Sequence, residues 1–195
     1  MKKFLASLMV ILSGAVSLFA DDIADVKSVI VKSCELMAKG DFAGSLALHT
    51  PDYRETAPDG RTTNYQMLKW FITGLDGKHP EEWRLAFFVA VENKGVMPDA
   101  AMEAELRQAA RDPEYIKRYE AAVLPAVERA KTGAAFRLKN LKIVSVEVDG
   151  DRATVVTETA SPDFKTGELR KYRSTASLRK VDGKWMFYRG VGEYK

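Results

Sequence analysis

The sequence predicts an α+β domain in which a curved antiparallel sheet packs on N-terminal helices, with an additional helical segment in between. Three observations predict this class. Apolar residues recur at helical steps as far as Gly133. From Ala135 onward the apolar pattern becomes that of strands. Asp-Gly turns at 149–151 and 182–183 then join successive strands antiparallel to each other.

Residues 1–20 have the pattern of a Sec-type signal peptide. Lys2 and Lys3 form a basic start, Phe4–Phe19 is largely apolar and uncharged, and Ala20 precedes two aspartates. The pattern predicts cleavage after Ala20 and a bacterial protein that is periplasmic or secreted. The alternative is an uncleaved membrane anchor, although the apolar run is shorter than the roughly 20 residues that span a bilayer. After cleavage we expect no stable membrane span.

The composition of the mature chain, residues 21–195, argues for one domain that does not bind nucleic acid. Removing the two lysines of the leader leaves 28 basic and 27 acidic residues, and the two kinds are interleaved. A near-neutral chain lacks the basic surface that phosphate backbones attract. Cys34 is the only cysteine, so no intramolecular disulfide can form.

Two helices open the mature chain. Residues 23–39 place apolar side chains on one face, with Asp22 expected to cap the start and Gly40 to follow the end. Asp41 is then expected to cap a shorter helix, which Pro51 ends.

A small hairpin and a third helix come next. Tyr53–Ala57 and Arg61–Thr63 flank Pro58-Asp59-Gly60, a turn in which Pro presets one dihedral angle and Gly permits a positive φ. Asn64 is expected to cap a helix over 65–73.

Residues 75–133 predict a helical insertion. Pro80 and the acids that follow it suit a helix start, and 85–91 fits either that helix, which we favour, or a buried strand. Further helices are predicted over 99–111 and 112–133, the last kinked at Pro125 and ended by Gly133.

Four strands close the chain as an antiparallel meander. They are predicted at 136–148, 152–160, 168–181 and 184–191, with a loop containing Gly167 before the third. Strict alternation puts Ile143 on the face opposite Val144, Val146 and Val148.

The order of these elements resembles the cone-shaped fold of the nuclear-transport-factor-two-like superfamily, the group that includes SnoaL-like and ketosteroid-isomerase-like proteins. Two stretches carry the resemblance: MAKGDFAGSLALHTPDYRETAPDGRTTNYQMLKWF near the start and DGKWMFYRGVGEYK at the end. The insertion departs from the short connection that is usual there. The resemblance implies a ligand cavity between the first helix, the hairpin and the sheet, with the hairpin at its mouth.

The resemblance also implies which side chains line that cavity. Tyr53 and Glu55 share a face of the hairpin, and Trp70 belongs to the following helix. The expected ligand-binding residues are Tyr53, Glu55, Trp70, Tyr172 and Tyr188. Enzymes of the superfamily use an inward carboxylate with tyrosine donors, so Glu55, or Asp59 in its turn, is a candidate base.

Glu158 is a second candidate carboxylate with two interpretations. It lies mid-strand opposite Arg170, Tyr172 or Arg173. An ion pair on the outer face is one alternative, and a buried Glu–Tyr pair facing the cavity is the other.

The remaining reactive residue types give little support for other chemistry. His49 and His79 are the only histidines and have no metal-ligand spacing, so we expect no metal and no cofactor. Cys34 lies on an apolar helix face, where a small core residue is the usual role.

The sequence leaves several functions open. The favoured one is a periplasmic or secreted protein that binds a small apolar molecule or a protein partner without catalysis. The alternative is a cofactor-independent isomerase, dehydratase or cyclase that uses a cavity carboxylate and a tyrosine. A homodimer through the outer sheet face, with its alternating Arg173, Thr175, Ser177 and Arg179, is also predicted.

Overall fold

A computed structural model of the chain describes residues 2–162 and 168–194, with side chains described for 21–160 and 168–194. The predicted leader and the loop with Gly167 therefore lie outside the described side chains. The helices are α1 (Lys2–Lys39), α2 (Phe42–Leu46), α3 (Tyr65–Gly74), α4 (Pro80–Phe87), α5 (Ala100–Ala109) and α6 (Pro113–Lys139). The strands are β1 (His49–Thr56), β2 (Thr62–Asn64), β3 (Lys142–Asp149), β4 (Arg152–Pro162), β5 (Leu169–Val181) and β6 (Lys184–Tyr194).

The strands form one six-stranded sheet in the order β2-β1-β6-β5-β4-β3. The α+β class predicted from the sequence is confirmed, since helices pack against this sheet. The sheet is mixed and not wholly antiparallel, because β1 pairs parallel to β6 while every other pair is antiparallel. That pairing joins the early hairpin to the end of the meander.

The main core lies between α1 and the helix-facing side of the sheet. Val26 and Ile30 of α1 meet Val155, Leu178 and Phe187 from three strands. Asp22 does not cap this helix as predicted, because it lies inside α1. Its carboxylate instead accepts hydrogen bonds from Lys180 Nζ at 2.5 Å and Trp185 Nε1 at 3.1 Å, which fasten α1 to the sheet.

Local capping follows the sequence elsewhere. Asp41 accepts a hydrogen bond from the Gly44 amide at the start of α2, and Asn64 accepts one from Met67 at the start of α3. Gly40 has the positive φ of 81° expected just past the end of a helix.

The predicted strand over Tyr53–Ala57 begins earlier, at His49, because residues 49–52 join the sheet and do not extend the second helix.

The insertion is helical, as predicted, and builds two further cores. Residues 85–91 are helical rather than a strand, and a π-helical turn, Phe88–Glu92, follows α4 directly. One core surrounds Trp70 and Leu85, and the other surrounds Phe42 and Ile72.

The predicted end of α6 at Gly133 is wrong, as is the predicted strand from Phe136. The helix continues to Lys139, and it runs through Pro125 as well. Gly133 and Ala134 are buried, and Thr159 Oγ1 of β4 donates to the Arg137 carbonyl oxygen at 3.2 Å. Glycine is about 1 kcal/mol less favourable than alanine in the interior of a helix, and tertiary packing outweighs this cost.

Two bulges change which side chains face the core. In β1 the register shifts between His49 and Arg54, and both Thr50 and Tyr53 are buried although they are three residues apart. In β3 a shift after Ile143 puts that residue against the main core with Val146 and Val148, while Val144 is exposed. The prediction that Ile143 faces away from Val146 is therefore wrong.

Candidate functional site

The predicted site residues on β1 form a tyrosine–carboxylate pair. Tyr53 is 7% exposed and packs in the main core, whereas the Glu55 side chain reaches solvent. The Tyr53 hydroxyl donates to Glu55 Oε2 at 3.1 Å. Burial, followed by the negative charge of Glu55, raises the pKa of Tyr53 above its usual range. The pair keeps the phenol protonated beside a carboxylate.

His49 joins this pair, which the sequence did not suggest. Its ring lies edge-on to Tyr53 at 4.5 Å between centroids and stacks on Phe187 at 5.0 Å. Its Nδ1 hydrogen bonds to the Ser45 carbonyl oxygen at 3.0 Å, and burial lowers the pKa of the imidazole. The parallel pairing of β1 with β6 is what brings these rings together.

Two glycines of β6 allow the hairpin to approach closely. A Cβ added at Gly190 would lie 3.3 Å from Glu55 Cγ and 3.4 Å from the Tyr53 hydroxyl oxygen. One added at Gly192 would lie 3.2 Å from Cδ of Pro58. The sequence signal for this close approach is the Gly-Val-Gly spacing, because it places both glycines on one face of the strand.

The other predicted ligand-binding residues lie apart from Tyr53 and Glu55. Trp70 is 2% exposed in the second core, and its indole Nε1 has no hydrogen-bond partner among the described residues. Tyr172 lies 5.4 Å from the Tyr194 ring, whereas Tyr188 lies under the Arg179 guanidinium. Alternation along β5 puts Tyr172 and Arg179 on opposite faces of the sheet. One shared cavity cannot include all five residues.

The remaining candidate carboxylates make ordinary ion pairs. Glu158 pairs with Arg173 directly across β4 and β5, with 3.7 Å between Oε1 and Nη1, and it lines a hollow together with Tyr172, so both interpretations of this carboxylate stay predictions. Asp59 accepts hydrogen bonds from the Arg61 amide and side chain within its turn. The hydrogen bonds from Arg61 lower the pKa of Asp59.

Cys34 and His79 also show no reactive arrangement. Burial raises the pKa of the half-buried Cys34 thiol, which disfavours the thiolate. His79 Nδ1 lies 2.6 Å from Asp76 Oδ2 on an exposed loop. Within the part of the chain whose side chains are described, no three His, Cys, Asp or Glu residues cluster closely enough to hold a metal ion.

The main core occupies the interface between α1 and the sheet, where the cavity was predicted. Two hollows lie along α6, one of about 630 Å³ lies beside β4 and β5 and is lined by Glu158 and Tyr172, and one of about 530 Å³ lies around α2. The first, which we call the aromatic groove, has a volume of about 730 Å³ between α4 and the first half of α6. It is lined by Trp83, Arg84, Phe87, Glu92, Ala109, Asp112, Tyr115, Arg118, Tyr119 and Ala122.

Aromatic rings form the walls of this groove and polar contacts fix them. The Tyr119 hydroxyl donates to the Gly74 carbonyl oxygen at 3.0 Å. Burial raises the pKa of Tyr115 to about 12, so that phenol stays neutral. Arg84 lies over the Tyr115 ring at 5.8 Å and pairs with Glu92 at 2.7 Å. The helical spacing of Trp83 with Phe87, and of Tyr115 with Tyr119, was the sequence signal for this wall.

A second, smaller hollow adjoins the groove at Trp83. We call it the arginine hollow: it has a volume of about 360 Å³ and is lined by Met37, Phe71, Trp83, Ala126, Arg129, Ala130, Gly133 and Arg137. Phe71 stacks on Trp83 with 5.8 Å between the centroids. The two hollows follow the same helix, and both volumes are within the range of ligand pockets, about 300–1,000 Å³.

The chain is similar to solved structures in its fold. No family model matches the chain, and neither does any curated protein. An NTF2-like protein with a cystatin-like fold from Novosphingobium aromaticivorans matches at 13% identity and a TM-score of 0.49, over 94% of this chain and 87% of that one.

Two further solved structures match in the same way. One is a ketosteroid isomerase-like protein from Erwinia carotovora atroseptica, with 14% identity, a TM-score of 0.42 and coverage of 89% of this chain and 95% of that one. The other is an NTF-2 like protein of unknown function from Silicibacter pomeroyi, with 14% identity, a TM-score of 0.46 and coverage of 91% and 98%. The chain is thus similar to structures of the superfamily that it was predicted to resemble, and similarities this low carry no argument about activity.

Two predictions about partners concern a membrane span and the outer face of the sheet. Within residues 21–160 and 168–194, no helix combines the length and the apolar character that crossing a bilayer requires. On the outer sheet face, Arg179 forms a bidentate pair with Asp52 at 2.6 and 3.0 Å. The homodimer through this face stays a prediction.

Proposed function

We propose that this protein is a non-catalytic binding protein for a small, largely apolar molecule, and that the ligand occupies the aromatic groove. The observation that carries the proposal is a hollow of about 730 Å³ with four aromatic side chains in its walls. Ligand sites are typically concave, with apolar and aromatic walls and placed polar groups, and this groove combines four aromatic rings with two arginines and two carboxylates.

The properties of the groove walls support binding over catalysis. Phe87 is 45% exposed, which leaves an apolar ring available to a ligand, while Tyr119 is 3% exposed and held by its hydrogen bond. Glu92 and Asp112 are both engaged, by Arg84 and by the amides that start α6. A general base needs a carboxylate aimed at the substrate, and these two carboxylates already serve other contacts.

We also propose that the protein acts outside the cytoplasm after cleavage between Ala20 and Asp21. The sequence pattern of residues 1–20 supports this proposal. Cleavage there would retain Asp22 and its contacts with the sheet. Mass analysis of the exported protein should give a chain that starts at Asp21, and an intact chain that includes residues 1–20 would contradict it.

Native mass spectrometry of the protein purified from the cells that make it tests the binding function. We expect a retained molecule in addition to the polypeptide mass. Ala122→Trp, which fills the groove, should remove the retained mass, while Ala121→Trp on the neighbouring exposed position should not. Retention that is equal in both variants, or no retained or rebound molecule at all, would contradict the proposal.

A second candidate function rests on the Tyr53–Glu55 pair. A buried phenol donating to a carboxylate at 3.1 Å is an arrangement that an isomerase, dehydratase or cyclase could use, with Glu55 as the base. In that case Glu55→Gln would abolish turnover of a substrate and leave ligand retention in the aromatic groove unchanged.

A further inference from the structure

The arginine hollow has an excess of positive charge. Its lining includes Arg129 and Arg137 and no carboxylate, and the rest of its wall is apolar or small. The aromatic groove next to it is balanced, because Arg84 and Arg118 are matched by Glu92 and Asp112. The two hollows together therefore have aromatic walls with balanced charge at one end and an excess of positive charge at the other.

The spacing on α6 brings both guanidinium groups to the same side of the helix. Arg129, Gly133 and Arg137 are separated by four residues each, so they share one face. The two arginine Cα atoms are about 12 Å apart along the axis, and both residues line the same hollow. Gly133 between them has no side chain to obstruct a group held by both.

The arginines of this region fall into two groups. Arg84 and Arg107 form ion pairs with glutamates, whereas Arg129 and Arg137, like Arg111 and Arg118, form none with the described side chains. Guanidinium groups form their strongest hydrogen bonds with carboxylates and phosphates, so an anionic group of a ligand would complete this hollow.

The shape of the combined hollows indicates an elongated ligand. They lie end to end along α6 and share Trp83, whose ring is half-buried and borders both. We propose that the ligand is a long-chain carboxylate, with its alkyl chain in the aromatic groove across Trp83 and its carboxylate between Arg129 and Arg137. This inference rests on the proposed binding function and specifies its ligand.

The test compares three probes with the same alkyl chain: dodecanoate, dodecanol and dodecyltrimethylammonium, each below the concentration at which it forms micelles. Dissociation constants are measured by calorimetry, and quenching of tryptophan fluorescence follows the same titrations. We expect dodecanoate to bind at least about tenfold more tightly than dodecanol, because hydrogen bonds to charged groups are worth that much. The cation should bind most weakly.

Arg129→Gln and Arg137→Gln should each reduce the preference for dodecanoate over dodecanol, and the double variant should abolish it. Lys139→Gln is the matched control, since it removes a positive charge from an exposed position of α6 that does not line the hollow, and it should keep the preference. Unchanged thermal melting of the variants shows that the fold is intact.

The outcomes separate the two proposals. Equal binding of dodecanoate and dodecanol would overturn the anion assignment and leave the binding function standing. A preference that survives in the double variant would also overturn it. If none of the three probes binds, the alkyl carboxylate is refuted, and retention of a different molecule in the mass measurement would still support the binding function.

Discussion

Replacing Gly74 by alanine tests how closely α3 and α4 approach each other. A Cβ added at Gly74 would lie 2.8 Å from the Trp83 amide nitrogen and 2.9 Å from its Cα. These are backbone atoms, and the Trp83 amide is itself bonded to the His79 carbonyl oxygen, so the clash cannot be relieved by a side-chain rotation. One helix must move.

The magnitude follows from two opposing effects. Alanine is favoured over glycine in a helix by up to about 1 kcal/mol. Overpacking a tight interface costs about 1–3 kcal/mol. We therefore expect Gly74→Ala to lower the free energy of unfolding by up to about 2 kcal/mol. For a chain of this size, each kcal/mol shifts the melting temperature by roughly 2–4 °C.

Urea denaturation followed by circular dichroism measures this change, with Lys69→Ala on the exposed face of α3 as the control. The control should stay within about 0.5 kcal/mol of the parent protein. Because the Tyr119 hydroxyl bonds to the Gly74 carbonyl oxygen, the same variant should weaken ligand binding in the aromatic groove. An increase in stability, as for an ordinary helical glycine, would refute the close approach of the two helices.

Three further predictions concern stability. Asn64→Ala removes the cap of α3 and should cost about 1 kcal/mol in urea denaturation, and no loss would contradict the capping role. Trp185→Phe should destabilise more than Trp70→Phe, since the Trp185 indole donates to Asp22 and the Trp70 indole has no partner within the described part of the chain; equal melting temperatures would contradict this. The hydrogen bond from Lys180 holds the pKa of Asp22 below its ordinary value of 3.8. The ionised Asp22 carboxylate stabilises the fold at pH values above 3.8, and this stabilisation is lost as the pH falls through the lowered pKa. Asp22→Asn should therefore have a lower melting temperature than the parent protein at neutral pH and lose less stability on acidification. A parallel pH profile for the two proteins would contradict that assignment.

Short-range features of this chain follow from its residues. Asp41 and Asn64 cap the helices that they were predicted to cap, and Gly40 has its left-handed conformation, because a cap depends on neighbours within three or four residues. The four late strands and their turns were also predictable in type, since alternation and Asp-Gly pairs are local signals.

Features that depend on distant partners were not predictable in the same way. The continuation of α6 past Gly133 reflects burial against neighbouring elements. The inward position of Ile143 reflects a bulge in β3. The hollows along α6 require helices from different parts of the chain, so the aromatic spacing alone could suggest an apolar wall but not a cavity.

By itself, the sequence determined the α+β class, the helical nature of the insertion and most element boundaries, because these depend on periodicity and on contacts between near neighbours. The tertiary structure alone decided that β1 runs parallel to β6, that Tyr53 lies buried against His49, and that two adjoining hollows lie along α6. The physical reason is that strand pairing and cavities depend on which distant surfaces pack together, and local propensity does not encode that choice.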